Sequence, residues 1–180
     1  MLYLFDMDGT LISSYMDNPD RNYHVWQLLP GRAGRIQQLI AAGHQIGIVS
    51  NQGGVAFGLI SEQDVVQKLG QVAAQLGFAS FWLHDGGQPM RAGWDSPALD
   101  CFVCYNDPRS KRAAYQDASR RKPSGAMICE AMAIFPEDVR SGVLMVGDRP
   151  EDEAAAQDAG VRFAWAEEFF GGSSDGSGRS

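Results

Sequence analysis

The sequence has few of the residues on which disulfide-linked or membrane-embedded scaffolds depend. Its three cysteines, Cys101, Cys104 and Cys129, are an odd number that suits a reducing compartment better than a disulfide framework. No apolar run approaches the roughly 18 residues of a membrane-spanning helix, and the start lacks the pattern of a signal peptide. We therefore expect a cytoplasmic protein with no membrane partner.

Positive charge is also scarce. The chain has 15 Lys and Arg residues against 22 Asp and Glu residues, a formal net charge of -7. This balance argues against broad attraction to nucleic acid or to an anionic membrane surface. With 180 residues and 44% hydrophobic composition, the chain is long enough for one well-packed domain and short for two.

Strand-like and helix-like segments alternate along the chain. Apolar runs predict strands at residues 2–5, 45–49, 80–83, 142–148 and 161–166. Apolar spacing and capping residues predict helices at 30–42, 61–76, 123–133 and 150–159. The alternation predicts an α/β fold, a Rossmann-like, doubly wound and mainly parallel sheet with helices on both faces.

Residues 85–120 interrupt this alternation. The segment is rich in glycine, proline and charge, and we interpret it as a long loop insertion. Its one apolar run, "CFVCY", has an alternative interpretation as a buried hairpin or strand with Cys101 and Cys104 as small hydrophobic residues. Cys129, on a predicted amphipathic helix, is expected in the core. We expect one domain over residues 1–170 and a disordered tail over 171–180, which contain no apolar side chain.

Four carboxylates follow predicted strands. In "YLFDMDGTLI" Asp6 and Asp8 come directly after the first strand, and Asp148 follows "GVLMVG" with Asp152 one helical turn later. The carboxyl ends of parallel strands meet at one edge of a sheet, where ligands bind. Acids crowded there would repel one another unless a cation lay among them. A carboxylate-rich set of oxygen ligands suits Mg²⁺.

Groups that suit a phosphate come to the same edge. Ser50 and Asn51 end the second strand and lead into "QGG", whose backbone amides can approach an anion. Lys122 opens its predicted helix and adds a positive charge. With a phosphate bound, one aspartate can attack phosphorus, and a second acid can protonate the leaving alcohol and then activate water. Asp6 and Asp8 would divide these roles.

Four motifs resemble those of the haloacid dehalogenase superfamily of phosphatases. They are "FDMDGTLI", "VSNQGG", "RRKPSGAM" and "VGDRPEDEAAAQDAG", which occur in the family's order from Phe5 to Gly160. The resemblance implies that Asp6 is the nucleophile and Asp8 the acid/base. It also implies a phosphoryl group bound by Ser50 and Asn51.

The same resemblance implies a metal site and a role for the lysine. Mg²⁺ would be held by the Asp6 carboxylate, the Asp8 backbone carbonyl and Asp148, with Asp152 supporting the ligands. Lys122 would stabilise the charge of the phosphoryl group and orient Asp6.

Within the superfamily, "SNQGGVAFG", "RRKP" and "GDRPED" are most similar to a branch without a large cap domain. This branch includes heptose bisphosphate phosphatases, histidinol phosphatases and polynucleotide 3'-phosphatases. In the heptose enzymes an arginine before the motif-three lysine contacts substrate, and Arg121 stands at that place. We expect a Mg²⁺-dependent phosphomonoesterase for a small metabolite such as a sugar phosphate, with a nucleic-acid 3' end as the alternative substrate.

A zinc loop is common among the heptose enzymes, but the pattern breaks here. His84 stands where a ligand is expected, whereas Trp82 replaces a cysteine, and Cys101 and Cys104 lie well before Arg121. Tetrahedral zinc needs four ligands and only three can be proposed, so zinc is the less favoured ion.

Two non-enzymatic interpretations use the same scaffold. A phospho-acceptor domain also clusters acids, a lysine and a metal, but it has little use for Asp8 and would not turn over a phosphomonoester steadily. A catalytically silent binding module is disfavoured because every motif residue is intact.

Overall fold

The computed structural model describes residues 1–92, 97–140 and 142–171. At its centre is a seven-stranded sheet in the order β4-β3-β5-β2-β1-β6-β7. The strands are β1 (Leu2–Phe5), β2 (Gln45–Asn51), β3 (Ser80–His84), β4 (Met90–Ala92), β5 (Ala98–Cys104), β6 (Val143–Gly147) and β7 (Arg162–Trp165). Six of these strands are parallel, and β4 pairs antiparallel with β3 at one edge.

Helices follow the strands as the alternation predicts. They are α1 (Arg32–Ala41), α2 (Glu62–Gln75), α3 (Ala126–Ile134), α4 (Glu137–Arg140), α5 (Pro150–Asp158) and α6 (Ala166–Gly171). At the start of α2, the side chains of Ser61 and Asp64 each accept a hydrogen bond from the other's backbone N–H. In the part of the chain that the structure describes, no helix has the length and apolar character needed to cross a membrane.

The sheet is buried on both faces. On one face, Phe5 and Ile48 pack in a cluster with residues of α1, α2 and α6. On the other face, Leu4 and Val49 pack with residues of α3 and α5. Successive residues of a strand point to opposite faces, which explains why the central strands carry apolar residues on both faces. The Rossmann-like α/β prediction is confirmed.

The predicted loop insertion at 85–120 is wrong in its middle. Ala98–Cys104 forms β5, which pairs in parallel with both β2 and β3 and therefore lies inside the sheet. Cys101 and Cys104 are buried on it as small hydrophobic residues. The error arose because Asp100 interrupts the apolar residues of β5 and polar segments flank the strand, so the pattern alone does not identify a central strand.

Three further predictions concern the second half of the chain. α3 begins at Ala126 and not at Pro123, because the preceding residues form a turn in which the Ser124 N–H bonds to the Arg121 carbonyl. Cys129 is exposed and not in the core, since α3 turns Ile128 and its neighbours toward the sheet. Of the predicted tail at 171–180, residue 171 ends α6, and residues 172–180 lie outside the described residues.

Candidate active site

Three carboxylates converge where β1 and β6 end. β1 and β6 are adjacent and parallel, so Asp6 and Asp148 leave the sheet side by side, and Asp152 lies in the first turn of α5. One carboxylate oxygen from each of the three residues lies within 4.8 Å of the other two. Asp6 and Asp152 are buried, and Asp148 is partly buried. Acids distant in sequence thus form one compact cluster.

Lys122 inserts its ammonium group into this cluster. Its Nζ lies 2.6 Å from Asp6 Oδ1 and 2.6 Å from Asp152 Oδ1, and it donates to the Val49 carbonyl at 2.9 Å. These three acceptors match the three N–H bonds of an ammonium group. Burial opposes the charge, but the two carboxylates outweigh it and raise the pKa of Lys122. The side chain is therefore a buried, fully paired cation.

One ammonium does not neutralise three carboxylates. Burial raises the pKa of Asp6 to about 8, with Lys122 opposing the shift and the charges of Asp152 and Asp8 adding to it. Burial and the charge of Asp152 also raise the pKa of Asp148. The cluster thus has oxygen donors and an excess of negative charge, and these properties fit a small divalent cation.

The turn after β1 brings its backbone against Asp148. Gly9 has a φ of +92°, and a Cβ at this position would lie 2.2 Å from Asp148 Oδ2. Thr10 Oγ1 donates a hydrogen bond to Asp148 Oδ1 at 3.2 Å. The Asp152 carboxylate accepts hydrogen bonds from the backbone N–H groups of Asp148 and Arg149, at 3.2 and 3.1 Å. The Thr10 hydroxyl and two backbone N–H groups therefore fix these acids, and glycine is required beside Asp148.

Asp8 has a different set of partners. Its Oδ2 accepts a hydrogen bond from Gln52 Nε2 at 2.6 Å, and its Oδ1 lies 3.6 Å from Lys68 Nζ. Gln52 also donates to Ser50 Oγ at 2.9 Å. Sequence reasoning missed both Gln52 and Lys68. The available signal was a lysine on the apolar face of α2, three residues after Val65.

The side chains of Ser50 and Asn51 are already bonded to protein groups. Asn51 Nδ2 donates to the Lys122 carbonyl, and Asn51 Oδ1 accepts from the Lys122 N–H, both at 3.0 Å. The Ser50 hydroxyl is buried and accepts from Gln52. Contact of Ser50 and Asn51 with a phosphoryl group stays a prediction. In the structure, the Asn51 amide instead holds the backbone of Lys122 in place.

A cleft of about 130 Å³ opens above the acids. Its walls include two tyrosines, Tyr15 and Tyr23, whose rings stack with their centroids 3.9 Å apart. The remaining lining residues are Asp6, Asp8, Asn51, Gln52, Gly53, Gly54, Phe57, Asp107, Arg109, Arg121, Lys122, Arg149, Glu151 and Asp152. The cleft thus combines acids at its base with cations and aromatic rings on its walls.

Arg121 is held at the wall of this cleft by a buried acid. Asp107 is 1% exposed and accepts two hydrogen bonds from the Arg109 side chain at 2.9 and 2.8 Å. Arg121 Nη2 lies 3.2 Å from Asp107 Oδ2, and its Nη1 donates to the Asn106 carbonyl at 3.1 Å. The bonds from Arg109 and the charge of Arg121 lower the pKa of Asp107 to about 2. One buried carboxylate therefore positions two cations.

The three proposed zinc ligands do not come together. His84 Nε2 lies 2.9 Å from Asp100 Oδ1. Cys101 and Cys104 belong to the clusters on opposite faces of the sheet. Over residues 1–92, 97–140 and 142–171, the one group of His, Cys, Asp and Glu residues that could share a metal ion is formed by Asp6, Asp148 and Asp152.

Comparison with known proteins gives relatives that include several heptose bisphosphate phosphatases. The D-glycero-beta-D-manno-heptose-1,7-bisphosphate 7-phosphatase of Rhodopseudomonas palustris is 31% identical over 157 residues, which cover 87% of this chain and 77% of that protein. The D-glycero-alpha-D-manno-heptose-1,7-bisphosphate 7-phosphatase of Mycobacterium tuberculosis is 28% identical over 172 residues, 95% of this chain and 80% of that protein.

Solved structures have the same fold. The D,D-heptose 1,7-bisphosphate phosphatase of B. bronchiseptica, crystallised with magnesium and phosphate, matches with a TM-score of 0.61 and 26% identity, over 90% of this chain and 78% of that one. A putative HAD-like phosphatase from Mesorhizobium loti matches with a TM-score of 0.62 and 23% identity, and the match covers 89% of this chain and 68% of that one. The profile described as polynucleotide kinase 3 phosphatase matches residues 1–170. The chain therefore belongs to the polynucleotide kinase 3 phosphatase family and is a phosphatase of the haloacid dehalogenase type.

Proposed function

We propose that this phosphatase is a Mg²⁺-dependent phosphomonoesterase that hydrolyses a small sugar phosphate through an aspartyl-phosphate at Asp6. The main support for this proposal is the distance of 2.6 Å between Asp6 Oδ1 and Nζ of the buried Lys122. Both groups lie in the acidic cluster at the carboxyl edge of the sheet. Asp8 lines the same cleft two residues later.

Asp6 and Asp8 divide the reaction. Lys122 holds Oδ1 of Asp6, and a carboxylate oxygen of Asp6 attacks phosphorus as the ester P–O bond breaks. Asp8 gives its proton to the leaving alcohol oxygen. In the second step Asp8 takes a proton from water, the water oxygen attacks phosphorus, and inorganic phosphate leaves with Asp6 restored. Atoms and charge balance over the two steps without a further reactant.

The acidic cluster supplies the ligands that Mg²⁺ prefers. We assign the ion to the carboxylates of Asp6 and Asp148 and the backbone carbonyl of Asp8, with Asp152 orienting its neighbours. The excess negative charge of the cluster supports this assignment, as does a related structure with magnesium and phosphate. When bound, the ion supplies positive charge that offsets the repulsion between a phosphoryl group and the carboxylates.

A sugar phosphate is the preferred substrate class on two grounds. The relatives are named as phosphatases of heptose bisphosphates. The cleft, at about 130 Å³, is smaller than the roughly 300 Å³ at which typical ligand pockets begin. It would enclose a phosphoryl group and the adjoining part of a small sugar, with Arg121 contacting the substrate at the wall and Ser50 and Asn51 contacting the phosphoryl group.

A substrate panel tests the proposal. Purified protein would be assayed with Mg²⁺ and with a chelator against heptose bisphosphate, hexose phosphates, histidinol phosphate and a 3'-phosphorylated oligonucleotide. We expect steady, Mg²⁺-dependent turnover with a sugar phosphate highest in kcat/KM, and its loss in Asp6→Asn. Normal turnover by a folded Asp6→Asn variant would disprove the mechanism, and one stoichiometric phosphorylation without turnover would indicate a phospho-acceptor domain.

A polynucleotide 3'-phosphatase is the second candidate. The family match over residues 1–170 favours it, as does the stacked pair Tyr15 and Tyr23 at the cleft, since aromatic rings are common platforms for nucleic-acid bases. A higher kcat/KM for the 3'-phosphorylated oligonucleotide than for every sugar phosphate in the panel would select this function.

A further inference from the structure

Lys68 is a buried cation that the chemistry above does not use. It lies on α2 and is 6% exposed. It shares the buried face of this helix with Val65, Leu69 and Val72, which pack into the core. An ammonium group in such a position is unfavourable unless an opposite charge compensates it.

The compensating charge is the carboxylate of Asp8. Lys68 Nζ lies 3.6 Å from Asp8 Oδ1, and the pair is 6% and 20% exposed at the side chains. This separation is longer than a hydrogen bond, so Lys68 restrains Asp8 through charge and leaves Oδ1 able to exchange a proton. On the other oxygen, Gln52 donates a hydrogen bond of 2.6 Å.

The two acids of the motif therefore have separate lysines. Asp6 follows β1 and is paired with Lys122, which reaches it from the turn before α3. Asp8 is paired with Lys68, which reaches it from α2 on another side of the sheet edge. This arrangement assigns one cation to the proposed nucleophile and another to the proposed acid/base.

We propose that Lys68 is a positioning residue for the acid/base. It holds the Asp8 carboxyl group where it can reach the oxygen of the leaving alcohol, and it transfers no proton itself. The inference rests on the proposed role of Asp8 in the phosphatase reaction. Its consequence is that Lys68 matters most for substrates whose leaving group needs a proton.

Two aryl phosphates of similar size test this consequence. The phenol released from phenyl phosphate has a pKa of about 10, like the tyrosine side chain, whereas p-nitrophenol is far more acidic and leaves without help. The constant kcat/KM reports the steps up to departure of the leaving group. We expect Lys68→Met to lower kcat/KM for phenyl phosphate at least about tenfold more than for p-nitrophenyl phosphate, because general acids contribute roughly 10²–10⁴-fold.

Two variants separate charge from packing. Lys68→Arg keeps a cation and is expected to restore most of the ratio between the two substrates. Lys111→Met makes the same exchange at an exposed lysine and is expected to leave both substrates unaffected. Circular dichroism and thermal melting would establish folding. Lys68→Gln, which keeps a polar end, replaces Lys68→Met in the comparison with Lys68→Arg if the methionine variant does not fold.

Variants of the two acids distinguish failure of this inference from failure of the proposed function. Asp8→Asn should show the same selective loss for phenyl phosphate, and Asp6→Asn should lose both substrates. An equal loss for both substrates in the neutral Lys68 variant, or no loss at all, overturns the role of Lys68. Activity in Asp6→Asn overturns the mechanism itself.

Discussion

Lys122 is the residue on which the charge balance of the site depends. Replacing it by Met leaves Asp6 and Asp152 buried beside each other without their shared cation. We expect loss of turnover and of about 3–5 kcal/mol in the free energy of unfolding, the usual result of removing one member of a buried ion pair.

The stability loss in Lys122→Met should depend on pH. Burial raises the pKa of Asp6 to about 8 even with the lysine present. Without Lys122, protonated Asp6 is favoured still more, so the loss is larger at about pH 8 than at about pH 5. Urea unfolding at both values measures it, with Lys111→Met as the control. A loss that is equal at both pH values would contradict the assigned charge of the cluster.

Asp107 gives a prediction in a lower pH range. Its pKa falls from 3.8 to about 2 in the folded protein because of Arg109 and Arg121. A lowered pKa stabilises the fold above the unfolded value and loses this effect as pH falls toward the folded value. Asp107→Asn should therefore cost about 1–2 kcal/mol at neutral pH and almost nothing near the folded pKa.

Acid-dependent unfolding would check the role of Asp107. The exposed Asp20→Asn is the matched control, for which we expect little change in stability. A phosphatase assay on the same variant tests the wall of the cleft, since Arg121 loses its ion-pair partner in Asp107→Asn and the KM for substrate should rise. An Asp107→Asn variant as stable as the control at neutral pH would show that the Arg pairs contribute nothing.

The convergence of Asp6, Asp148 and Asp152 was predictable from sequence because they stand at or just after the ends of predicted strands, whereas Lys122 was placed there by its position in "RRKPSGAM". Lys68 and Gln52 were not predicted, since their contacts with Asp8 depend on how α2 and the residues after β2 pack against the sheet. The two hydrogen bonds between the Asn51 side chain and the Lys122 backbone were missed for the same reason, since they join residues that are 71 positions apart.

At the scale of elements, the turn after β1 must accommodate both a left-handed backbone and an acid. Gly9→Ala adds a Cβ that would meet Asp148 Oδ2 at 2.2 Å. Gly43 has a similar φ of +79° after α1, but a Cβ there would meet no atom within 4 Å. Both variants should lose about 1–2 kcal/mol from backbone strain, while only Gly9→Ala should lose Mg²⁺-dependent turnover.

Thermal melting and phosphatase assays on the two glycine variants check this prediction. Equal activity in Gly9→Ala and Gly43→Ala would mean that the turn relaxes without moving Asp148. Comparing the two variants therefore separates the effect of backbone strain, which both share, from the effect of the close approach to Asp148, which only Gly9→Ala has.

Elements with a clear period were predicted well, and those without one were not. α1 and α2 carry apolar residues at helical spacing and end before Gly43 and Gly77, which have positive φ. β5 lies between polar segments of the sequence and was not predicted as a central strand. Its burial comes from pairing with β2 and β3. Sheet order is a tertiary property that no local pattern of residues encodes.

At the scale of the whole molecule, metal binding and folding stability should be linked. A cation that binds the folded acidic cluster stabilises the protein, by about 2.7 kcal/mol at a concentration 100 times its Kd. Ionised Asp6 is required for such binding, and burial raises its pKa to about 8. The increase in melting temperature with Mg²⁺ should therefore grow as pH rises from about 6 to about 8.5.

Melting curves with and without Mg²⁺ at several pH values measure this linkage. Asp148→Asn removes one of the three clustered carboxylates and should abolish most of the increase. Ca²⁺ and Mg²⁺ compared at equal ionic strength separate specific binding from screening. A shift that is independent of pH, or retained in Asp148→Asn, would place the ion elsewhere.

The two hydrogen bonds between Asn51 and the backbone of Lys122 have a consequence for how such a chain can diverge. They attach the lysine to the end of β2, so its place in the site does not depend on the path that the chain takes between β5 and α3. That connecting segment can gain or lose residues while the lysine stays in position. Related phosphatases could therefore acquire new substrates by remodelling this one connection, without rebuilding the catalytic centre.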